Sequence, residues 1–200
     1  MRQMLLIGIL SFLLFSSGIP AETSEWKLEQ NEHSTSVKSM GTAEINDLRA
    51  DAVLKCDCSK NGAFLRLEIA DFDKVQKHFN LRIFEGPSAP TLDMALTTIE
   101  LQGVNPVQSI SFKQNGYISV DGRFVIEISQ VQANSIALAQ LYRRMATEGN
   151  LLRIRIKSYR DPKQFIISEF PLNNSRKAIA ALVAACPNSK PQPRKPAMGK

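Results

Sequence analysis

The alternation of apolar and charged residues in the middle of the chain constrains its fold more than any other feature. Apolar side chains take every second position in residues 63–71 and again in residues 152–157. They are Leu65, Leu67, Ile69, Leu152, Ile154 and Ile156. A period of two places successive side chains on opposite faces of a β-strand. The pattern therefore predicts strands of a sheet with one buried face and one face exposed to solvent.

Turn-forming residues predict how some of these strands are joined. The Asp-Gly dipeptide at 121–122 favours a tight hairpin between residues 116–120 and 124–128. A second hairpin loop is predicted at residues 160–162, before a last strand at residues 165–170.

A further strand is predicted at residues 80–83, where Leu81 and Ile83 alternate with polar residues. It is expected to stop at the turn formed by Gly86 and Pro87. All these segments together predict about six to eight strands.

Two helices are predicted late in the chain. The first begins at Ser135, a residue type that favours a helix N-cap, and runs through Met145. The second is capped by Asn174 or Ser175 and ends before Pro187. Its apolar residues lie three to four positions apart, at Ile179, Leu182, Val183 and Cys186. Strands followed by late helices indicate a mainly β fold, either an antiparallel sheet or a β-sandwich with both helices at one edge.

The two ends of the chain differ from its middle. Arg2 precedes an apolar run about half as long as a membrane-spanning helix, and small residues follow it up to Ala21. Residues 1–21 are therefore predicted to be a cleavable export signal, and residues 22–186 a single β-rich domain. Residues 187–200 contain four prolines and four basic residues, so we expect a disordered basic tail. The expected location is periplasmic or secreted, with no integral membrane segment after cleavage.

The predicted domain is almost neutral although the whole chain is basic. Of the 25 Lys and Arg residues, one lies in the predicted signal and four in the tail, which leaves 20 against 19 acidic residues. Nucleic acid is therefore not an expected partner, because it requires a basic face or groove. One group of cations could still form a basic binding patch. Its members are Arg143, Arg144, Arg153, Arg155 and Lys157. The alternative is a solvated face balanced by nearby acids.

Three cysteines in an exported chain predict one disulfide and one free thiol. Cys56 and Cys58 lie two positions apart on a predicted strand and share one face, and Cys186 ends the last helix. We expect Cys58 to bond Cys186, with Cys56 as the alternative partner. A bond of this span is worth on the order of 4 kcal/mol in the chain-entropy model. Redox exchange is the functional alternative, although Asp57 would raise the pKa of a neighbouring thiol.

No familiar catalytic or cofactor motif is found along the chain. His33 and His78 have no ligand at metal-site spacing, and neither a nucleophile elbow nor a phosphate loop is present. Acid pairs such as Asp71 and Asp73 are more typical of a solvated strand end. We therefore expect no enzymatic activity, no cofactor and no metal site.

A set of single residues resembles two bacterial protein families. In chain order they are Trp26, Cys56 or Cys58, Phe170, Pro171, Leu172, Ser175, Ala178, Leu182 and Cys186. The order is similar to that of periplasmic VasI-like proteins associated with type VI secretion and, more loosely, of invasion-associated locus B proteins. The doubled first cysteine and the helix at residues 135–145 depart from their pattern. The resemblance implies a non-enzymatic β-sandwich accessory protein of the envelope and assigns no catalytic residue.

Two functions are therefore expected, in order of preference. The first is an exported accessory or protein-binding domain of a secretion or host-interaction system, with another envelope or secreted protein as its partner. The second is a periplasmic thiol-disulfide oxidoreductase or another small enzyme.

Overall fold

The computed structural model describes residues 25–59, 62–128 and 132–186. The predicted export signal and the predicted tail both lie outside these residues. Within them the chain forms ten strands, three α-helices and one 3-10 helix. The strands are β1 Lys27–Gln30, β2 Ser34–Ile45, β3 Leu48–Ser59, β4 Gly62–Ile69, β5 Thr97–Gln102, β6 Gln108–Phe112, β7 Asn115–Ile118, β8 Phe124–Ile128, β9 Leu151–Lys157 and β10 Phe165–Pro171. The helices are α1 Phe72–Val75, α2 Gln132–Thr147 and α3 Arg176–Ala185, and the 3-10 helix is Leu81–Phe84.

All the named strands belong to one sheet, and their ladders are antiparallel. The order is β6-β5-β9-β10-β2-β3-β4-β8-β7, and β1 pairs with β2 outside this path. β10 pairs with residues 42–44 of β2, whereas β1 pairs with residues 35–38 of the same strand. At Gly41, a Cβ atom would collide with the carbonyl oxygen of Glu169 and the ring of Phe170, so glycine permits this close approach. The prediction of a mainly β, antiparallel fold is confirmed.

The two ends of the sheet order are consecutive in the chain. Only Lys113 and Gln114 separate β6 from β7, so their ends lie within about 11 Å and the sheet must curl. Gln114 is buried at this corner and makes three hydrogen bonds to the backbone. Its side-chain oxygen accepts from the amides of Leu96 and Thr97, both at 3.2 Å, and its nitrogen donates to the Thr91 carbonyl at 3.0 Å.

Two helices cover the inner face of the curled sheet. α2 packs on β4, α3 packs on β1, β2 and β3, and the two helices pack against each other. α2 buries Leu138, Leu141 and Tyr142, and α3 buries Ile179 and Leu182. The apolar side chains of the alternating strands face these helices, and the polar side chains therefore form the outer face of the sheet.

The predicted hairpins and late helices are present. β7 and β8 pair across the turn at residues 121–122, and β9 and β10 pair across the loop at residues 160–162. Both helices that the sequence predicted after residue 130 are found, as α2 and α3. No helix in the described part of the chain is long and apolar enough to cross a bilayer.

Three local predictions are wrong. Residues 81–84 form a 3-10 helix and not a strand, because Leu81 and Phe84 are buried three positions apart. Ser135 lies inside α2, which begins three residues earlier at Gln132, so it does not cap the helix. The sheet also has more than eight strands, partly because the Ser/Thr-rich segment Ser34–Ile45 forms a twelve-residue strand.

We expect the Gln114→Ala substitution to cost about 1 to 3 kcal/mol of unfolding free energy. The Leu96 amide and the Thr91 carbonyl would each keep a backbone partner in Met94, whereas the Thr97 amide would lose the Gln114 oxygen at a buried corner. Denaturant unfolding measures the change, with Gln140→Ala on the exposed side of α2 as a control within about 0.5 kcal/mol of wild type. A loss below about 1 kcal/mol for Gln114→Ala would contradict the corner's role.

Candidate binding surface

A disulfide joins the C-terminal end of α3 to the sheet. Cys58 on β3 bonds Cys186, with 4.9 Å between the two Cα atoms and a sequence separation of 128 residues. This is the pairing that the sequence favoured, and Cys56, the alternative partner, is left free. The bond holds α3 over the inner face of the sheet, where the helix packs on β1, β2 and β3.

The free thiol is enclosed in the core. Cys56 is fully buried and is hydrogen-bonded to Tyr142, whose hydroxyl donates to the carbonyl oxygen of Phe64. Burial raises the pKa of the Cys56 thiol to about 12; the Tyr142 hydrogen bond opposes this shift, and the nearby Asp57 charge adds to it. A thiol that stays protonated at neutral pH is a poor nucleophile for disulfide exchange.

The structure does not bring the predicted basic patch together. Arg143 and Arg144 lie on α2, which packs on the inner face of the sheet. Arg153 and Arg155 alternate with buried residues of β9 and therefore lie on the outer face, and Lys157 is exposed at the end of that strand. The five cations are divided between two elements on opposite sides of the sheet.

Carboxylates and an aromatic ring surround the two arginines of β9. Arg153 Nη2 lies 2.6 Å from a Glu169 oxygen, and Arg155 Nη1 lies 3.3 Å from a Glu100 oxygen. The Arg155 guanidinium also lies 4.4 Å from the centroid of the Phe165 ring. This part of the outer face is balanced by nearby acids, as the alternative interpretation expected.

A different set of cations is brought together by the strand register. Lys27 on β1 lies opposite Lys38 on β2, Lys38 lies opposite Lys55 on β3, and Lys55 lies opposite Arg66 on β4. We call these four residues the cation row. Neighbouring strands are about 4.8 Å apart, so the row extends about 14 Å across the outer face. Like charges directly opposite each other destabilise a sheet, so the row is unfavourable for folding.

Lys38 is the least compensated member of the cation row. The other three members each have a carboxylate nearby. These pairs are Lys27–Glu25 at 3.5 Å, Lys55–Asp57 at 3.8 Å and Arg66–Glu68 at 3.0 Å. Lys38 is exposed, and in the described part of the chain no carboxylate lies within 4.0 Å of its ammonium group.

An acidic set lies beside the cation row, two residues along each strand. Glu29 on β1 lies opposite Ser36, and Ser36 lies opposite Asp57. The Ser36 hydroxyl donates to a Glu29 carboxylate oxygen at 3.4 Å. Burial raises the pKa of the Asp57 carboxyl, while Lys55 opposes this shift and Glu29 adds to it. We call Glu29, Ser36 and Asp57 the acid row.

An open cleft of about 540 Å³ lies where α3 begins. Amide and cationic side chains dominate its polar lining, including Asn150, Asn174, Arg176 and Lys177. No carboxylate, histidine or cysteine lines it. Among the described residues, no cluster of three or more His, Cys, Asp or Glu side chains could hold a metal ion.

No protein-family model matches the chain, and neither the curated proteins nor the solved structures include a match to it.

Sequence reasoning missed the cation row because its members are far apart in the chain. Lys27, Lys38, Lys55 and Arg66 are each separated by 11 residues or more, and each looks like an ordinary solvated residue in its own segment. Only the registers of the β1–β2, β2–β3 and β3–β4 ladders together could have indicated the row, and neither strand β1 nor strand β2 was predicted.

We expect Cys58→Ser and Cys186→Ser each to cost about 2 to 5 kcal/mol of unfolding free energy. Both remove the same bond, so the double variant should cost little more than either single one. Cys56→Ala, the matched control, removes a buried sulfur and should cost about 1 kcal/mol. Denaturant unfolding under oxidising conditions tests this. Unfolding of Cys186→Ser at the wild-type denaturant concentration would contradict a stabilising role of the bond.

We also expect the Cys56 thiol of the folded protein to be unreactive toward a thiol-specific reagent at pH 8. With a pKa of about 12, only about one thiol in ten thousand is ionised at that pH. Unfolding exposes the thiol, and one equivalent should then react. Rapid reaction in the folded state would favour redox exchange.

Because the folded-state pKa of Cys56 is raised, the unfolding free energy of wild type should fall relative to that of Cys56→Ala as the pH rises from about 8.5 to about 12.

Proposed function

We propose that the protein is an exported, non-enzymatic accessory domain of the cell envelope that binds another protein through its outer sheet face. The observation that carries the proposal is the cation row, in which Lys38 lies between Lys27 and Lys55. Aligned like charges lower the stability of the free protein. An acidic group of a partner would remove this repulsion on binding, so the cost to folding becomes a gain in affinity.

The disulfide supports the exported location. A bond between Cys58 and Cys186 persists in oxidising compartments and is rare in the cytosol. It agrees with the export signal that residues 1–21 predict. The resemblance to VasI-like and invasion-associated locus B proteins points to the same compartment and to an accessory role.

Carboxylates beside the cation row favour a protein partner over a broad polyanion. Glu29 and Asp57 lie on one side of the row, and Glu68 lies on the other. A membrane surface or a nucleic acid backbone would bring negative charge onto these carboxylates as well as onto the lysines. A protein surface with acids and bases at defined positions can match both signs.

The free thiol gives no support to the alternative function. Cys56 is buried, and its raised pKa leaves almost no thiolate at neutral pH. Disulfide exchange requires an accessible thiolate.

The test is photo-crosslinking in intact cells from position 40. Met40 is 52% exposed and lies two residues from Lys38 on the same face of β2, so a crosslinking residue there should capture the partner. Lys38→Glu should lower the yield about tenfold, which corresponds to about 1.4 kcal/mol, because it opposes the partner's acidic group.

Folding is controlled in the same experiment. Lys38→Glu places a glutamate between two lysines, so its thermal midpoint should not fall. Lys163→Glu makes the same charge change in the exposed β9–β10 loop and should leave the yield unchanged. Equal yields for Lys38→Glu and Lys163→Glu would overturn the assignment of the cation row.

A further inference from the structure

Among the described residues, strand β1 pairs with β2 alone and forms an edge of the sheet. All four of its residues are exposed. Leu28 is 42% exposed although it lies opposite Val37, which is fully buried. An exposed edge offers unpaired backbone amide and carbonyl groups to another strand.

The sequence of β1 is complementary to itself in the antiparallel direction. If two β1 strands pair with Leu28 opposite Leu28, then Lys27 of each copy lies opposite Glu29 of the other. Opposite charges in directly facing positions stabilise an antiparallel pair, and facing leucines bury their exposed surface. Both ion pairs and the leucine contact arise from this one register.

The same register also matches the charges beyond β1. In each copy the cation row and the acid row both begin at β1, at Lys27 and Glu29. Pairing centred on Leu28 joins the cation row of one copy to the acid row of the other. The series Lys55, Lys38, Lys27 is then continued by the second copy's Glu29, Ser36 and Asp57. The two-fold axis creates two such junctions, and at each of them the facing opposite charges offset the repulsion within the rows.

Other registers lose this match. A parallel pair would place Lys27 opposite Lys27, and an antiparallel pair shifted by one residue would place Leu28 opposite Glu29. Like charges or a charge facing leucine disfavour both arrangements.

We propose that two copies of this chain associate edge to edge through β1, in antiparallel register about a two-fold axis at Leu28, to form one continuous sheet. The interface is isologous, so each copy uses the same residues. The short strand limits the buried area, and the dimer is therefore weak and concentration-dependent. The proposal does not depend on the proposed function, because Lys38 and the outer face remain accessible in the dimer.

In the test, the full chain is expressed, the exported protein is purified, and its sedimentation velocity is measured over a series of concentrations. Wild type should shift from monomer to dimer as the concentration rises, with weaker association at high salt. Lys27→Glu and Glu29→Lys should each raise the dissociation constant at least about tenfold, because each creates two like-charge pairs at the axis.

Two rescue measurements distinguish this register from general charge effects. The double variant Lys27→Glu/Glu29→Lys restores both ion pairs and should regain wild-type association. An equimolar mixture of the two single variants should form heterodimers, since the acidic strand of one then faces the basic strand of the other.

Folding and charge are controlled separately. Lys27→Glu places a glutamate opposite Lys38 and should not lower the thermal midpoint, so lost association is not unfolding. Lys163→Glu changes the charge in the exposed β9–β10 loop, outside β1 and both rows, and should associate like wild type. A wild-type protein that stays monomeric at the highest concentration, single variants that associate normally, or a mixture that fails to associate would each overturn the proposal.

Discussion

Burial of the inner face is the constraint on which the rest of the structure depends. A curled sheet with one apolar face is stable only when that face is withdrawn from water, and α2 and α3 supply the cover. α3 has ten residues and is too short to be stable alone, so its position depends on Ile179 and Leu182 in the core and on the Cys58–Cys186 bond at its end.

The outer face has the opposite role, since it carries the charges that the core excludes. Around Arg153 and Arg155 those charges are paired with carboxylates of the domain itself. Along the cation row the pairing is incomplete, and Lys38 faces a lysine on each side. An acidic group of a partner would offset the repulsion along this row, and for that reason we propose the row as a binding surface. At the β1 edge the opposite charges would come from a second copy of the chain.

The two cysteines of β3 lie on the same face of the sheet, but one is disulfide-bonded and the other is a free thiol. Cys56 and Cys58 are both on the inner face of β3, and both are fully buried. Cys58 is reached by the end of α3, whereas Cys56 lies under Tyr142 of α2. One sulfur therefore becomes part of a covalent bond between elements, and the other remains a protonated thiol in the core.

Local patterns in the sequence determined the mainly β class, the two late helices and the shared face of Cys56 and Cys58. They also determined the hairpins at residues 121–122 and 160–162. These features follow from strand period, turn chemistry and helix spacing, which all act within a few residues.

Tertiary packing decided the rest. Residues 81–84 became a 3-10 helix because the core accepts Leu81 and Phe84 three positions apart. The Ser/Thr-rich segment became β2 because β1, β3 and β10 pair with it, although its own residues show no clear alternation. The register of those ladders placed Lys27, Lys38, Lys55 and Arg66 side by side, and register between strands depends on how the whole sheet buries its inner face, which no local pattern specifies.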